Sequence, residues 1–208
     1  MIKGAKICGV SNLETLKYTI NHPYPPKFIG FISNYKKSKR YVDINFLAKL
    51  NNYKNNKIYF VSVLVNPDDH ILEKIKNFKL DYYQLYNVSP QRTKMIKKKY
   101  NKKIITALNI SDKEDINQYK LYENISDIIL FDGKGYEKSI GFDHTHLNDI
   151  PKNITIMIAG NIKFDNIPII KELDYIIDLS GSLENDKGDK DLKKIDYFLN
   201  NIKQYEIN

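Results

Sequence analysis

A single cysteine, Cys8, stands among 208 residues, so no internal disulfide can form and nothing asks for an oxidising compartment. Long apolar runs are missing as well; none approaches the ~18–20 residues of a membrane span. The opening MIKGAKICGV carries charge without the apolar segment of a secretory signal. A cytoplasmic chain with no membrane partner is therefore expected. No Gly-, Ser- or Pro-rich stretch and no low-complexity insert divides the sequence, which predicts one domain over residues 1–208. Arginine is scarce: Arg40 and Arg92 are the only two among 33 basic residues. The formal net charge of +8 invites a nucleic-acid reading, but base and phosphate readers lean on arginine's planar fork. The runs Lys36-Lys37-Ser38-Lys39-Arg40 and Lys97-Lys98-Lys99 read more simply as solvated faces or helix ends. No nucleic-acid partner is expected, while attraction of a small anionic substrate stays open.

What is present is an alternation. Short runs rich in Ile, Val, Phe and Tyr at 5–10, 28–32, 58–65, 82–86, 104–108, 128–131, 154–159 and 175–179 have the length and residue types of strands. Amphipathic stretches lie between them, marked by Leu13, Leu16 and Ile20, by Phe46, Leu47 and Leu50, and by Ile71, Leu72, Ile75 and Phe78. Met95 with Ile96, Ile116 with Tyr119, and Ile167 with Ile170 and Leu173 continue the series. Leu192, Ile195, Phe198, Leu199 and Ile202 close it. Asn12, Asp43, Ser89 before Pro90, and Asp112 are expected helix caps. The sixth helical stretch, 145–150, has barely two turns before Pro151.

Eight β–α units in 208 residues take about 26 residues each, enough for a strand, a helix of about 10 residues and two short loops. Such a repeat makes a parallel sheet covered by helices, closed as a barrel or open and doubly wound. No G-x-G-x-x-G follows the first strand, which weakens the open dinucleotide-binding version. The predicted fold is a single-domain (β/α)₈ barrel, close to the lower limit of about 200 residues for that architecture.

In a barrel of this kind the chemistry sits at the carboxyl ends of the strands. Those ends read Lys6-Ile7-Cys8-Gly9; Gly30-Phe31-Ile32 with Ser38-Lys39-Arg40-Tyr41-Val42; Val61-Ser62-Val63-Leu64-Val65-Asn66; and Gln84-Leu85-Tyr86-Asn87. They continue with Leu130-Phe131-Asp132, Phe142-Asp143-His144 and Ile158-Ala159-Gly160-Asn161-Ile162. The last is Asp178-Leu179-Ser180-Gly181-Ser182-Leu183-Glu184, followed by Gly188-Asp189-Lys190-Asp191. In this order the tags resemble those of the phosphoribosylanthranilate isomerase family of tryptophan biosynthesis: K-I-C-G, G-F-x-F…S-P-R-Y-V, V-x-V-F-V-N, Q-L-H-G, L-x-D, F-D-W, L-A-G-G-L and D-V-S-S-G-V-E…G-x-K-D. Any one tag is weak, but eight in register over nearly the whole chain are specific.

The resemblance implies an Amadori rearrangement of phosphoribosylanthranilate, an aminoaldose, to an aminoketose, without cofactor or metal. Alone, a strand cysteine is usually a small buried hydrophobe; the resemblance makes Cys8 the base that takes the C2 proton. A thiol with a reference pKa of about 8.5 needs cationic or dipolar help for that task, and strand alternation puts Lys6 on the same side. Asp132, which alone could be a loop or capping carboxylate, is implied as the acid that protonates the ring oxygen, with Asp178 as its rival. Arg40 is implied to face the anthranilate carboxylate, with Tyr35 and Phe31 flanking the aromatic ring. Gly160, Asn161, Gly181 and Ser182, in the loops after the last two strands, are implied to bind phosphate. His22, His70, His144 and His146 show no metal-ligand spacing.

Departures from the pattern fall on the pocket. Tyr86 replaces the family histidine, Asn161 the second glycine of the seventh tag, and Ser180-Gly181-Ser182 the S-S-G. Residues 134–141 replace a glycine cluster after the acid. Two alternatives stay open: another phosphosugar barrel enzyme, and a non-catalytic barrel that binds a phosphometabolite. A monomer and a homodimer are equally open.

Overall fold

In the computed structural model the described residues are 2–54, 56–135, 141–160, 162 and 174–205. Eight strands close a parallel barrel in chain order, each hydrogen-bonded to its sequence neighbours and the eighth to the first. They are β1 (Gly4–Cys8), β2 (Phe28–Ile32), β3 (Tyr59–Val65), β4 (Tyr82–Tyr86), β5 (Lys103–Ile110), β6 (Ile128–Gly133), β7 (Ile156–Ile158) and β8 (Ile176–Leu179). The predicted (β/α)₈ closure is the observed one. β2 and β4 keep their expected bounds, the other six differ, and β5 and β7 change most in length. β5 runs on to Ile110 because Asn109 and Ile110 still pair with Asp132 and Gly133. β7 shortens because the Ile154 N–H turns back to the Pro151 carbonyl at 3.0 Å.

The outer layer comprises α1 (Leu13–Asn21), α2 (Ile44–Lys49), α3 (Asp69–Ile75), α4 (Pro90–Tyr100), α5 (Lys113–Ile116) and α6 (Leu192–Ile202). The four expected caps are all present. Asn12, Asp43, Ser89 and Asp112 each accept the N–H of the residue three positions on, satisfying a donor the helix leaves unpaired. The sixth stretch makes only a 3₁₀ turn, His144–Leu147. The expected seventh helix, with Ile167, Ile170 and Leu173, lies outside the described residues. Among the described residues no helix is long and apolar enough to cross a membrane.

Period-two alternation divides the apolar residues into two cores. Outward positions such as Ile7, Phe31, Leu64, Leu85, Phe131 and Ile177 are buried under helix residues including Leu16, Leu47, Leu72, Ile96, Phe198 and Leu199. Each such side chain contributes roughly 1.5–3 kcal/mol of burial. Inward positions fill the barrel with Phe28, Val61, Val63, Ile105, Leu130, Met157 and Ile176. At the amino ends of the strands, Phe28, Tyr59 and Tyr82 stack with centroids 5.3–5.5 Å apart, and the Lys103 ammonium lies 5.6 Å from both tyrosine rings. That plug leaves the polar chemistry to the opposite end.

Candidate active site

β1 supplies two inward polar residues, Lys6 and Cys8, separated by the outward Ile7. Register pairs Lys6 with Asp178 of β8, and the Lys6 ammonium donates to Asp178 Oδ2 at 2.7 Å with both side chains almost wholly buried. Burial opposes the Lys6 charge, but Asp178 and then Cys8 outweigh it and hold the ammonium above its ordinary range. Burial pushes the Cys8 thiol up, while Lys6 pulls it back. Burial likewise raises Asp178 against Lys6, and its Oδ1 has no protein partner among the described residues. Gly30 makes the crowding possible: a methyl there would lie 2.9 Å from Cys8 Sγ and 3.1 Å from Lys6 Nζ.

Across the barrel, the Tyr86 phenol at the end of β4 donates to Asp132 Oδ2 at 2.8 Å. Gln84, two residues earlier on the same face, donates its amide to the phenol oxygen at 3.3 Å. Burial, then Asp132, then Cys8 and Asp178 push the Tyr86 pKa far above its ordinary value, so the phenol keeps its proton. One side chain thus stands within electrostatic reach of Asp132, Cys8 and Asp178 together.

Arg40 is placed by the loop after β2. Its N–H bonds Ser38 Oγ at 3.2 Å, and Tyr41 bridges back to Ile32. Gly9, at φ +76°, leaves room for the arginine stem, since a Cβ there would lie 2.5 Å from Arg40 Cδ. The guanidinium donates from Nε and Nη2 to the two oxygens of Glu184 at 2.5 and 2.9 Å. Lys190 donates to the same Glu184 at 2.5 Å and to the Ser180 carbonyl at 3.1 Å. Ser180 Oγ donates to the Cys8 carbonyl at 3.1 Å. A polar chain therefore runs from the Arg40 loop to the backbone carbonyl of Cys8.

Gly160 (φ +91°) follows β7 and the 3₁₀ turn Gly181–Leu183 follows β8, so two adjacent strands bring them to one end. A Cβ on Gly181 would lie 3.6 Å from Arg40 Nη2. Asn161 lies outside the described residues, as do residues 136–140 of the segment after the acid. Phe31 corrects the expectation placed on it. It points outward, fully buried against Phe60 and Phe46, and cannot flank a ligand inside the mouth; Ile32 is its inward neighbour. Glu184 and Lys190 belong to the last tag, and that tag is the local signal that could have found them. No group of three His, Cys, Asp or Glu side chains among the described residues is arranged to hold a metal ion.

A family model described as N-(5'-phosphoribosyl)anthranilate (PRA) isomerase matches residues 5–201. The chain belongs to the PRA isomerase family. Its activity is that family's, isomerisation of N-(5'-phosphoribosyl)anthranilate in tryptophan biosynthesis. An N-(5'-phosphoribosyl)anthranilate isomerase of Rhizobium rhizogenes is 31% identical over 208 residues, covering 95% of this chain and 92% of the relative. One of Zymomonas mobilis subsp. pomaceae is 30% identical, covering 95% and 97%. The solved PRA isomerase of Thermotoga maritima superposes with a TM-score of 0.83 at 22% identity, covering 98% of this chain and all of that one. A further PRA isomerase structure, in complex with reduced 1-(o-carboxyphenylamino)-1-deoxyribulose 5-phosphate, superposes at 0.80 with 21% identity, covering 98% of this chain. These two likenesses establish the barrel.

Proposed function

We propose that Cys8 is the general base and Asp132 the general acid of the isomerisation. The Asp132 carboxyl gives its proton to the ribose ring oxygen as the C1–O bond breaks, and the anilino nitrogen supplies the electron pair that forms an iminium. Cys8 then takes the C2 proton, and the C–H electrons move in to neutralise the iminium as an enolamine. Return of a proton at C1 and loss of the enol proton give the aminoketose, so the reaction is balanced without cofactor or metal. Lys6 favours the thiolate that the second step needs. Arg40 meets the anthranilate carboxylate beside Glu184, and Gly160, Asn161, Gly181 and Ser182 meet the phosphate with backbone N–H groups.

One observation carries this reading. Tyr86 is hydrogen-bonded to Asp132 and feels Cys8 and Asp178 from the other side of the barrel, so acid and base share one mouth. The substrate is a small phosphorylated molecule, here the anionic phosphoribosylanthranilate. We place the enzyme in the cytoplasm as one domain over residues 1–208, with no nucleic-acid or membrane partner and as either a monomer or a homodimer. Complementation of a tryptophan auxotroph lacking this isomerase tests the assignment. The parent chain should restore growth, and the Cys8→Ala and Asp132→Asn variants should not. Growth with both variants would overturn the roles; no growth with a well-expressed parent would overturn the reading as a whole.

A further inference from the structure

We propose that Tyr86 is a positioning residue for the acid, its phenol O–H fixing and stabilising the Asp132 carboxylate through the proton transfer. The proposal rests on the assignment of Asp132 as acid, and it concerns a position where this chain departs from the family's histidine.

The geometry is specific to a tyrosine. Tyr86 ends β4 and Asp132 lies on β6, with β5 between them. Register pairs Tyr86 with Ala107 on that intervening strand. Ala107 therefore presents only a methyl level with Tyr86, one inward step before Asn109, which pairs with Asp132, and a long phenol passes over that methyl to reach Oδ2 at 2.8 Å. The hydrogen's direction is set as well. Because the Gln84 amide donates to the phenol oxygen at 3.3 Å, the phenol's own hydrogen is directed to Asp132.

The chemical consequence follows from which form of the acid the bond prefers. A hydrogen bond donated to a carboxylate favours its ionised form, which is the form Asp132 takes once its proton has gone to the ring oxygen. The donor is also constant. A histidine has a reference pKa of about 6.5 and changes charge across the working range, whereas this buried phenol stays neutral. The charged and titratable groups facing it are Asp132 from β6, Cys8 from β1 and Asp178 from β8, the last paired with Lys6.

Tyr86→Phe in the full chain removes the O–H and keeps the ring. The expected result is a fall in kcat of about 10- to 100-fold, the scale of losing exact placement of a reacting group, with KM changed less than about 3-fold. The limb of kcat against pH that reports Asp132 should move to higher pH, because the carboxylate loses a donor. Gln84→Met, which removes only the group that turns the phenol, should give a smaller loss of the same kind and serves as the second variant if Tyr86→Phe does not fold. A kcat within about 2-fold of the parent in both variants, a fall with an unmoved limb, or a loss expressed in KM would overturn the proposal. Asp132→Asn separates the two levels. If it is active, the acid assignment fails; if it is inactive while Tyr86→Phe behaves as the parent, only the positioning role fails.

Discussion

Glu184 grips Arg40 with both carboxylate oxygens, across 144 residues of sequence, at 2.5 Å to Nε and 2.9 Å to Nη2. The pair holds one of only two arginines in the chain flat against the barrel mouth, with Arg40 buried and Lys39 beside it exposed. A planar fork held by one carboxylate is oriented for a second, and a lysine cannot reproduce it.

Arg40→Lys should therefore lower kcat/KM by roughly 10- to 150-fold although charge is preserved, the cost of a charge-assisted bond of about 1.5–3 kcal/mol. Lys39→Ala should change it by less than about 2-fold. Steady-state kinetics of the two variants on phosphoribosylanthranilate make the comparison. Small and equal effects would remove Arg40 from the site and leave only electrostatic attraction of an anionic substrate.

Acid should loosen the same cluster. Burial raises Glu184, but Arg40 and Lys190 outweigh it and hold the carboxyl below its ordinary range. A group depressed in the folded state contributes its stability above the unfolded pKa of about 4.3 and loses it as pH falls through the folded value. Urea unfolding should show Glu184→Gln less stable than the parent at pH 7, with the gap closing below pH about 4. A gap that widened on acidification would contradict the sign.

Lys6→Met breaks a buried ion pair and leaves Asp178 without its partner, which should cost about 3–5 kcal/mol in thermal or urea unfolding. It should also slow the thiol. Burial raises the Cys8 pKa, and Lys6, ahead of Lys190, draws it back down, so the pH midpoint of iodoacetamide inactivation should move upward in the variant. An unchanged midpoint would mean that Lys6 does not activate Cys8.

Gly30→Ala tests the close approach directly. The added methyl would press on Cys8 Sγ at 2.9 Å and Lys6 Nζ at 3.1 Å. Overpacking of this kind typically costs about 1–3 kcal/mol, and here it displaces Cys8, the proposed base, so activity should fall further than stability. Parental kinetics in Gly30→Ala would show that Cys8 and Lys6 need not be held so near.

Much of this architecture was legible because its signals are local. Strand alternation, the caps at Asn12, Asp43, Ser89 and Asp112, and the position of Cys8 at the end of β1 each depend on residues a few places apart. Phe31 could have been resolved by the same counting, since an inward Gly30 forces it outward. The pairings were not legible in this way. Arg40 with Glu184, Lys6 with Asp178 and Tyr86 with Asp132 are separated by 144, 172 and 46 residues. Only barrel closure brings them together, and no spacing along the chain announces it. The tags marked the members of the site; the partnerships came from the fold.

The central claim is that one thiol and one carboxyl perform the proton transfers. Its most direct test is kcat/KM for Cys8→Ala, Asp132→Asn and the double variant on phosphoribosylanthranilate, with far-UV circular dichroism to verify folding. Removing a general acid or base typically costs about 10²–10⁴-fold. Each single variant should lose at least that while remaining folded, and the double variant should fall well short of the product of the two losses, as expected for groups that act as a unit. A folded Cys8→Ala within about 10-fold of the parent would contradict the account.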